Sequence, residues 1–560
     1  MGRLLHFGPQ CSVKKIMDCL SLPYSRVPKS SNLLVDYLED YGKVGHFYNG
    51  SPFNPETYDR LKQQLQSFRV DRTTLVEVLL RQNKEFGAGE PTLKNIRRLG
   101  EPDTFAVVTG QQVGLFSGPS FTLYKAMTAV RLSQSLNAQG LKTVPIFWLA
   151  TEDHDLEEVA QTCILNDKYE AIHLHDPGER PAPQSPVARV RLSDGISGQI
   201  DQLESLLPAG DSREQLLKDL RAAYQPGVTW SQAFAKFLTQ LLGRWGVVLL
   251  DPMDEAIHRL AAPLYRKALR QSNELRSLLQ ARSDELVKAG YHAQVHIAED
   301  STLLFAERDG NRLPVHSSGA DEKQFSIGDR HPATLAELES EIKEQPLHFS
   351  ANVLLRPVVQ DTLLPSIACV AGPSELAYLG QAQVLYSAFG RPMPAVRLRS
   401  GFTLIDHRVE RWMEKYQVGV EDVWQGKEHL SQRIAATAFA GGWSERFDQT
   451  ERDLADLLGR MRKDIEVLDP TLLDTLSHTE EKIRYQVERL RGKLTRSALA
   501  RSEVLARHEQ SILQAIMPEK ELQERMVSGV YFLGRAGYGI LESLLEQIPA
   551  DSTGHCVMNF

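Results

Sequence analysis

VTGQQVGLFSGPS, at residues 108–120, and FWLATEDHD, at residues 147–155, decide the fold of this 560-residue chain. Each stretch completes a short apolar run, and a helical apolar pattern from Leu123 to Leu136 lies between the two. A strand, a helix and a second strand in this order are typical of a right-handed crossover between parallel strands. We therefore expect both polar loops at the carboxyl edge of one sheet, where open parallel sheets bind their ligands.

The composition is that of an ordinary globular protein, with 42% hydrophobic and 24% charged residues. At roughly 150 residues per domain, the length predicts three or four domains. No apolar stretch approaches the roughly 18 residues of a membrane span, and the N-terminus has no signal-peptide core. These features predict a cytoplasmic protein without a membrane partner. A net charge of -8 and a pI near 6.1 argue against a nucleic-acid partner, which needs a concentrated basic face.

The cysteines predict neither a disulfide framework nor a zinc site, because they are odd in number, scattered and never spaced as CxxC. They are Cys11, Cys19, Cys163, Cys369 and Cys556. We expect reduced thiols that pack as small hydrophobic side chains. His292 and His296 share one face of a predicted alternating strand, which does not make them a metal pair. No structural metal is expected.

A third block repeats the arrangement of the first. The apolar run at residues 367–371 precedes Gly372-Pro373-Ser374-Glu375, much as the first apolar run precedes Gly118-Pro119-Ser120. In both places Pro takes the first helical position, where its missing N–H costs nothing. The free amides and the dipole of such helix starts attract anions. The sequence therefore predicts two anion-binding helix starts at the edge of the sheet.

Heptad spacing begins at about residue 446. Apolar residues step by four and three at Leu454, Leu458, Met461, Ile465, Leu468 and Leu472, and again at Ile483, Val487, Leu490 and Leu494. Asp469-Pro470 interrupts the pattern as an N-cap followed by a first-position Pro would. We expect a helix ending near Leu468 and a second from Pro470 to about Ile516. Their narrow apolar seams favour a dimerising coiled coil over a spacer without a partner.

The loop after the second apolar run carries the sharpest chemical signal. Glu152-Asp153-His154-Asp155 crowds three carboxylates and an imidazole, which shift one another's pKa unless a cation, an amine or a metal is present. In the functional interpretation, one carboxylate holds a substrate amine or Mg²⁺, and His154 stabilises a phosphate or acts as acid or base. In the structural alternative, Asp153 or Asp155 caps the next helix and His154 faces solvent.

The first loop supplies uncharged polar groups and glycines. The polar residues are Thr109, Gln111 and Gln112, and the glycines that would let a ligand approach the backbone are Gly110, Gly114 and Gly118. Lys125 follows in the helix, within reach of a phosphate bound at the loop. A packing role for this loop remains the alternative, since it matches neither GxxxxGK[ST] nor GxGxxG.

At these residues the sequence resembles the BshC family, the cysteine ligases of bacillithiol biosynthesis. The resemblance covers nearly the whole chain and rests on TGQQVGLFSGPSFTLYK from Thr109, VPIFWLATEDHD from Val144, LLRPVVQD from Leu354, AGPSELAY from Ala371, the heptad segment and LQERM from Leu522. It implies an α/β fold with a Rossmann-like, nucleotidyltransferase-like parallel-sheet core, two connecting insertions and a long C-terminal coiled-coil hairpin used in dimerisation. The chain has neither an HxGH nor a KMSKS signature, so synthetase-type ATP chemistry does not carry over directly.

Together with this resemblance, changes in composition and periodicity along the chain divide it into seven segments. They are residues 1–168 (N-terminal helices and the first part of the Rossmann-like core), 169–228 (first insertion), 229–282 (core continued), 283–345 (second insertion with a β-hairpin), 346–445 (third core block), 446–517 (coiled-coil hairpin) and 518–560 (return to the core). A proline-rich loop at residues 176–183 and a turn at Asp309-Gly310-Asn311 mark the two insertions.

The implied reaction joins the carboxyl group of cysteine to the amine of glucosaminyl malate, the last step of bacillithiol biosynthesis, with ATP and Mg²⁺ as the expected cofactors. The expected catalytic residues are Glu152, Asp153, His154, Asp155 and Lys125. The expected binding residues are Thr109, Gly110, Gln111, Gln112, Gly114, Gly118, Ser120, Tyr124, Trp148, Arg356, Gln360, Gly372, Ser374, Glu375 and Tyr378. The alternatives are an acyl-adenylate-forming enzyme for another amino acid and a non-catalytic coiled-coil scaffold.

Overall fold

The structure, a computed structural model, describes residues 19–318, 324–438 and 442–560, without the side chains of residues 443–445 and 500. Cys11, the start of the predicted N-terminal helices and residues 319–323 of the predicted second insertion lie outside the described residues.

The helices and strands follow one another in four stretches. The first contains β1 (Cys19–Leu22), α1 (Asn32–Glu39), α2 (Tyr41–Val44), α3 (Pro55–Gln66), α4 (Arg72–Glu85), α5 (Glu90–Leu99), β2 (Phe105–Gln111), α6 (Phe121–Ala138) and β3 (Thr143–Leu149). The second contains α7 (Leu156–Val159), β4 (Gln161–Leu165), β5 (Ala171–His175), α8 (Ile196–Leu206), α9 (Asp211–Ala223), α10 (Trp230–Leu242), β6 (Val248–Leu250), α11 (Glu255–Arg270) and α12 (Ser272–Lys288).

The third stretch contains β7 (Ser301–Arg308), β8 (Asn311–Ser317), β9 (Gln324–Ile327), β10 (His331–Thr334), α13 (Leu335–Glu344), β11 (Phe349–Ala351), α14 (Arg356–Leu363), β12 (Ser366–Ala371), α15 (Pro373–Ala388) and β13 (Ala395–Leu398). The fourth contains β14 (Gly401–Ile405), α16 (His407–Tyr416), α17 (Val420–Trp424), α18 (Lys427–Ala438), α19 (Trp443–Leu468), α20 (Leu473–Ala500), α21 (Glu503–Ile516), α22 (Gln523–Met526), α23 (Gly529–Ala536), α24 (Gly539–Gln547) and β15 (His555–Asn559).

The central sheet has five parallel strands in the order β13-β12-β2-β3-β6. β2 pairs with β3 in a register that sets Gly110 beside Trp148, and β12 sets Val370 beside Thr109. The crossover predicted through α6 is confirmed, and so are the strands before residues 252 and 372. This is the Rossmann-like arrangement expected from the sequence, with the loops after β2, β3 and β12 at one edge.

Helices cover both faces of this sheet, which explains why its strands are apolar runs without alternation. On one face, Ala106 and Val108 of β2 belong to the large hydrophobic core. On the other face, Phe105 and Val107 pack with Leu61 of α3 and with α6 in a smaller core. Burial on two faces leaves only the strand ends and loops for polar chemistry.

A second five-stranded sheet, in the order β10-β9-β8-β7-β11, is antiparallel. The predicted hairpin turn is confirmed, since Asp309 and Gly310 join β7 to β8 with positive φ angles of 49° and 75°. The expectation that His292 and His296 share a strand is wrong. Both residues lie in a loop, because pairing begins only at Ser301.

The predicted helical hairpin is present, but its second arm is divided. α19 ends at Leu468 as expected, Pro470–Leu472 forms a 3₁₀ turn, and α20 ends at Ala500. Ser502 then caps a separate helix, since its hydroxyl accepts from the Leu505 amide at 3.4 Å. α20 is therefore about 42 Å long, shorter than the single arm that the heptads predict.

The chain ends form a small sheet with β14, in the order β1-β15-β14. Within it Cys19 and Cys556 form a disulfide with a Cα–Cα distance of 5.7 Å, so the expectation of reduced thiols is wrong for this pair. The two cysteines lie 537 residues apart, and only the tertiary fold brings β1 beside β15. Cys163 and Cys369 are free.

None of the helices in the described parts of the chain combines the length and the apolar character that crossing a membrane requires.

The close approach of β2 to β3 leads to a stability prediction at Gly110. A Cβ atom added there would lie 2.9 Å from the Trp148 carbonyl oxygen, and neither backbone can move without disturbing the parallel ladder. Gly110→Ala should lower the free energy of unfolding by about 1–3 kcal/mol, measured by urea denaturation. Gly459→Ala, in an open part of α19, is the matched control and should be neutral or stabilising. Equal stabilities of the two variants would contradict the prediction.

Candidate active site

A cleft of about 670 Å³ opens at the carboxyl edge of the central sheet. The loops after β2, β3, β12 and β13 contribute to it, as do the second sheet and the C-terminal segment. Its lining consists of Gly110, Gln111, Gln112, Phe121, Lys125, Trp148, Ala150, Glu152, Asp153, His154, Glu158, Phe305, Arg312, Ala351, Asn352, Val353, Arg356, Gly372, Pro373, Ser374, Glu375, Tyr378, Arg399 and Arg525.

Carboxylates gather on the β3 side of the cleft. The Gln112 amide nitrogen donates to Asp153 Oδ2 at 2.9 Å and to Glu158 Oε2 at 2.7 Å, so one amide from the β2 loop holds two acids of the β3 loop. Glu152 is buried and lies 3.5 Å from Nε2 of the buried His258. This side can therefore hold a positively charged group such as a protonated amine.

His154 lies between these acids and the second sheet. Its Nδ1 is 3.2 Å from the Arg312 guanidinium, which itself lies 3.7 Å from the centre of the Phe305 ring. Burial lowers the pKa of His154, and the charge of Arg312 lowers it further, against the opposing effect of Asp153. The imidazole is therefore mainly neutral at pH 7, and it can accept a proton at Nδ1 in place of the hydrogen bond from Arg312.

Lys125 is buried and ties the β2 loop to α15. Its ammonium group donates to the Gly110 carbonyl at 2.6 Å and to Gln111 Oε1 at 2.9 Å, and lies 2.5 Å from Glu375 Oε2. Burial lowers the pKa of Lys125, and the charge of Glu375 opposes that shift. The lysine is thus held by protein partners, with its charge shared with Glu375.

The start of α15 is capped by its own side chain. The Gly372 amide donates to Glu375 Oε2 at 2.6 Å, so the first N–H is not free for a ligand. The amides of Ser374 and Glu375 have no intrahelical acceptor at these positions. Beside them, Arg356 donates to the Tyr378 hydroxyl at 3.1 Å. Cationic and amide donors therefore gather on the β12 side.

The structure brings together most of the residues that the sequence assigns to the site. They are Gly110, Gln111, Gln112, Lys125, Trp148, Glu152, Asp153, His154, Arg356, Gly372, Ser374, Glu375 and Tyr378.

Other expected site residues do not line the cleft. They are Thr109, Gly114, Gly118, Ser120, Tyr124, Asp155 and Gln360. Asp155 caps α7 by accepting from the Glu158 amide at 3.2 Å, as in the structural alternative for one of the loop acids. Thr109 donates to the Val370 carbonyl at 2.9 Å, and Gln360 is buried against Asp361. These side chains support neighbouring elements instead of facing a ligand.

The first predicted anion site, at the start of α6, is covered by the C-terminal segment. The Ser120 amide donates to the Val527 carbonyl at 2.8 Å, and Ser120 is fully buried. Gly114 and Gly118 approach so closely that a Cβ on Gly114 would lie 2.7 Å from the Gly118 Cα. The glycines here serve close packing of the loop, and the start of α6 is not a ligand site.

Several residues that line the cleft were not predicted from the sequence. Arg399 follows β13 at the same sheet edge, and its position after an apolar strand was a usable signal. Glu158 lies in α7, the short helix after the acidic loop. Arg312 and Phe305 come from the β7–β8 hairpin and Arg525 from the C-terminal segment, and no local pattern connects them to the loops.

Among the described residues, no group of three or more His, Cys, Asp or Glu side chains is arranged to hold a metal ion.

Two family models together match nearly the whole chain. Residues 17–400 match the description "Bacillithiol biosynthesis BshC, N-terminal Rossmann-like domain". Residues 402–560 match "Bacillithiol biosynthesis BshC, C-terminal coiled-coil domain".

Curated relatives match at nearly full length under the name "Putative cysteine ligase BshC". The chain is 37% identical to the protein of Koribacter versatilis, covering 97% of this chain and 98% of the relative. It is 34% identical to that of Solibacter usitatus, covering 97% and 100%. It is 32% identical to that of Salinibacter ruber, covering 94% and 96%.

A solved structure from Campylobacter jejuni, titled as a putative arginyl tRNA synthetase, covers 86% of this chain and 100% of its own at 10% identity. Its TM-score of 0.22 is too low to support an argument about fold or function.

The contact between His154 and Arg312 predicts a measurable pKa change. Because the Arg312 charge lowers the pKa of His154, Arg312→Gln should move that pKa upward, toward the ordinary value of 6.5. An NMR titration of the His154 ring protons measures the shift. Arg308→Gln on the same hairpin is the control, since Arg308 pairs with Glu341 outside the cleft. A pKa that stays the same or falls in Arg312→Gln would contradict this electrostatic account.

Proposed function

Because the chain belongs to the BshC family of bacillithiol biosynthesis, we propose that its cleft joins the carboxyl group of cysteine to the amine of glucosaminyl malate. In this proposal the product is bacillithiol, and the step is the last of its biosynthesis. The C–N bond would form as the amine attacks the acyl carbon activated by ATP. The C–O bond to the activating phosphate or adenylate group would break, that group would leave with the bonding electrons, and the amine would lose one proton.

The observation that carries the proposal is the separation of charge across β2. Carboxylates follow β3, where Arg312 is the accompanying cation, whereas Arg356 and Arg399 lie at the β12 and β13 end of the same cleft, where Glu375 is paired with Lys125. Neighbouring strands are about 4.8 Å apart, so the two sides are separated by roughly the length of a small metabolite. Such a cleft suits a substrate that carries an amine at one end and carboxylates at the other.

In the proposed mechanism, Asp153 holds the substrate amine and His154 accepts its proton. Gln112 fixes the Asp153 carboxylate, and burial together with the charge of Arg312 lowers the pKa of His154. A neutral imidazole beside a carboxylate can take the proton that the amine loses as the amide forms. Arg356, next to Tyr378, lies where it can neutralise the anionic end of the substrate.

An amide does not form spontaneously from a free carboxylate and an amine in water, so the acid needs activation, which ATP would supply. The residues that fit its phosphates are on the β12 side, where Arg356 and the free amides of α15 gather. Asp153 and Glu158, both bound to the Gln112 amide, offer oxygen atoms of the kind that Mg²⁺ prefers.

The proposal is tested by cysteine addition in vitro with ATP, cysteine and glucosaminyl malate. Asp153→Asn and His154→Ala, each shown to be folded, should lose about 100-fold or more in kcat/KM, the usual contribution of a general acid or base. Asp155→Asn is the matched control, because Asp155 caps α7 outside the cleft and Asn caps helices equally well. Full activity of the Asp153 and His154 variants would refute these roles.

Two further measurements separate the alternatives. If ATP–pyrophosphate exchange requires an amino acid other than cysteine, the protein is an acyl-adenylate-forming enzyme that acts on that amino acid. In cells that lack this protein, the level of glucosaminyl malate should rise, and it should fall again when the wild-type gene is restored. That result would support the ligase. Complementation by the Asp153→Asn variant would instead support the scaffold.

We further propose that the helical hairpin dimerises. Leu454, Leu458, Ile483 and Val487 line the groove between α19 and α20. Leu457 and Met461 of α19, and Leu490 and Leu494 of α20, remain 44 to 59% exposed. Each pair is four residues apart and so shares one face of its helix, which a second hairpin would cover.

The dimer is tested on the exposed face of α20. Leu490→Glu with Leu494→Glu should shift the protein from dimer to monomer in size-exclusion chromatography with light scattering, because a charge in an apolar seam is costly. Gln486→Glu adds one negative charge at an exposed polar position of α20 and should stay dimeric. A wild-type monomer would refute the proposed dimer.

A further inference from the structure

The C-terminal domain reaches the cleft through the segment Leu522–Met526, which is clamped on two sides. The Gln523 side chain accepts from the Leu404 amide at 2.7 Å and donates to the Leu404 carbonyl at 2.8 Å. It also donates to the Ala515 carbonyl at 2.7 Å. The segment is thereby fixed to β14 of the core side and to the end of α21, and its next two side chains have defined positions.

The first of these side chains, Glu524, holds Arg399 of the cleft. Arg399 donates from both terminal nitrogens, to Oε1 at 2.7 Å and to Oε2 at 2.9 Å, and the Phe402 amide donates to Oε2 at 3.0 Å. Both side chains are at most 3% exposed. Burial raises the pKa of Glu524, but the charge and hydrogen bonds of Arg399 outweigh it and the pKa lies below its usual range. Both carboxylate oxygens of Glu524 therefore accept hydrogen bonds from Arg399 and orient its guanidinium group.

This orientation leaves the Nε–H donor of Arg399 on the cleft side, since Nη1 donates to Glu524 and the Ser400 carbonyl and Nη2 donates to Glu524. Its two terminal nitrogens face Glu524, whereas Nε lies 3.9 Å from where a Cβ on Gly372 would stand and has no acceptor in the described part of the chain. The guanidinium also lies 5.3 Å from the centre of the Phe121 ring, another lining residue. The free donor is therefore beside the start of α15.

The second side chain, Arg525, is exposed and lines the cleft. The other cleft cations have protein partners. Lys125 contacts Glu375, Arg312 donates to Ser350 and Ala351, Arg356 donates to Gln360 and Tyr378, and Arg399 pairs with Glu524. Within the described ranges, no hydrogen bond or ion pair involves the Arg525 guanidinium. The adjacent Glu524 carboxylate is already neutralised by Arg399, so the Arg525 charge lacks a local counterion.

We propose that Arg525 and Arg399 form an anion subsite of the cleft, in which Arg525 binds a carboxylate or phosphate group of the substrate. Glu524 is the positioning residue that aims Arg399 at the same group. Guanidinium groups suit both anions, since their planar N–H donors match two oxygen atoms at once. The identity of the anion rests on the proposed function, whereas the subsite itself rests on the cleft geometry.

This arrangement makes the coiled-coil domain part of the active site. The core contributes Arg399, and the segment that follows the helical hairpin contributes Arg525 and Glu524. A cleft assembled from both domains binds its anion fully only when the return segment is docked on the core.

The test compares Arg525→Gln and Arg525→Lys with Arg489→Gln, the same change on the exposed surface of α20. Arg525→Gln should raise the KM of one anionic substrate about ten-fold or more, the effect of losing a charged hydrogen bond, with kcat changed less than about three-fold. Arg525→Lys should restore part of the loss, and Arg489→Gln should behave as wild type. A rise for ATP identifies a phosphate, and a rise for glucosaminyl malate or cysteine identifies a carboxylate. Unchanged KM values for all three substrates would overturn the proposal.

Glu524→Gln tests the positioning role. It should raise the KM of the same substrate as Arg525→Gln, again with little change in kcat, because it misdirects Arg399 without touching the reacting atoms. Lower thermal stability is expected in either case, because Arg399 loses its buried partner. A general loss of structure would lower kcat as well. If this variant does not fold, Arg525→Gln, which alters an exposed side chain, decides alone.

Failure of the proposed function gives a different result from failure of the subsite. If the wild-type protein adds no cysteine, calorimetric titration with ATP, malate and inorganic phosphate still measures directly whether the subsite binds an anion. Binding of at least one of these that weakens in Arg525→Gln but not in Arg489→Gln supports the subsite. Equal binding by the two variants, or no binding by the wild type, overturns it.

Discussion

The parallel pairing of β2 with β3 is the constraint on which the rest of the structure depends. A parallel ladder places the ends of both strands at one edge, so the TGQQ and EDHD loops must meet there. Because both faces of the sheet are covered by helices, polar groups can gather only at that edge. Gln112 makes the link direct, since one amide from the first loop holds Asp153 of the second. The position of the cleft follows from strand direction.

Buried charges then fix the shape of the cleft. Taking a charged group out of water is costly unless a partner with good geometry compensates it. Lys125 with Glu375 joins α6 to α15, and Arg399 with Glu524 joins the core to the C-terminal domain. Removing one member of such a pair leaves an uncompensated charge, at a cost of about 3–5 kcal/mol. These pairs therefore serve more as positional constraints than as a net source of stability.

The division of charge between the two sides gives the cleft its chemical direction. The acidic side can hold an amine, next to the His154 imidazole, whose pKa is lowered by burial and by the charge of Arg312. The opposite side offers guanidinium groups and helix amides. Elements from the second sheet and the C-terminal segment complete both sides, so the Rossmann-like core alone does not enclose the site.

Local patterns in the sequence determined the strands before Gly110 and Ala150, the crossover helix, the Gly372 helix start and the heptad arms, because periodicity reports which face of each element is buried. The same patterns placed Lys125, Asp153 and His154 at one edge. Only the tertiary structure decided that Arg312, Arg399 and Arg525 share the cleft, that Cys19 meets Cys556, and that the start of α6 is covered by Val527. These contacts join residues far apart in the chain, and no local periodicity records which distant segments pack together.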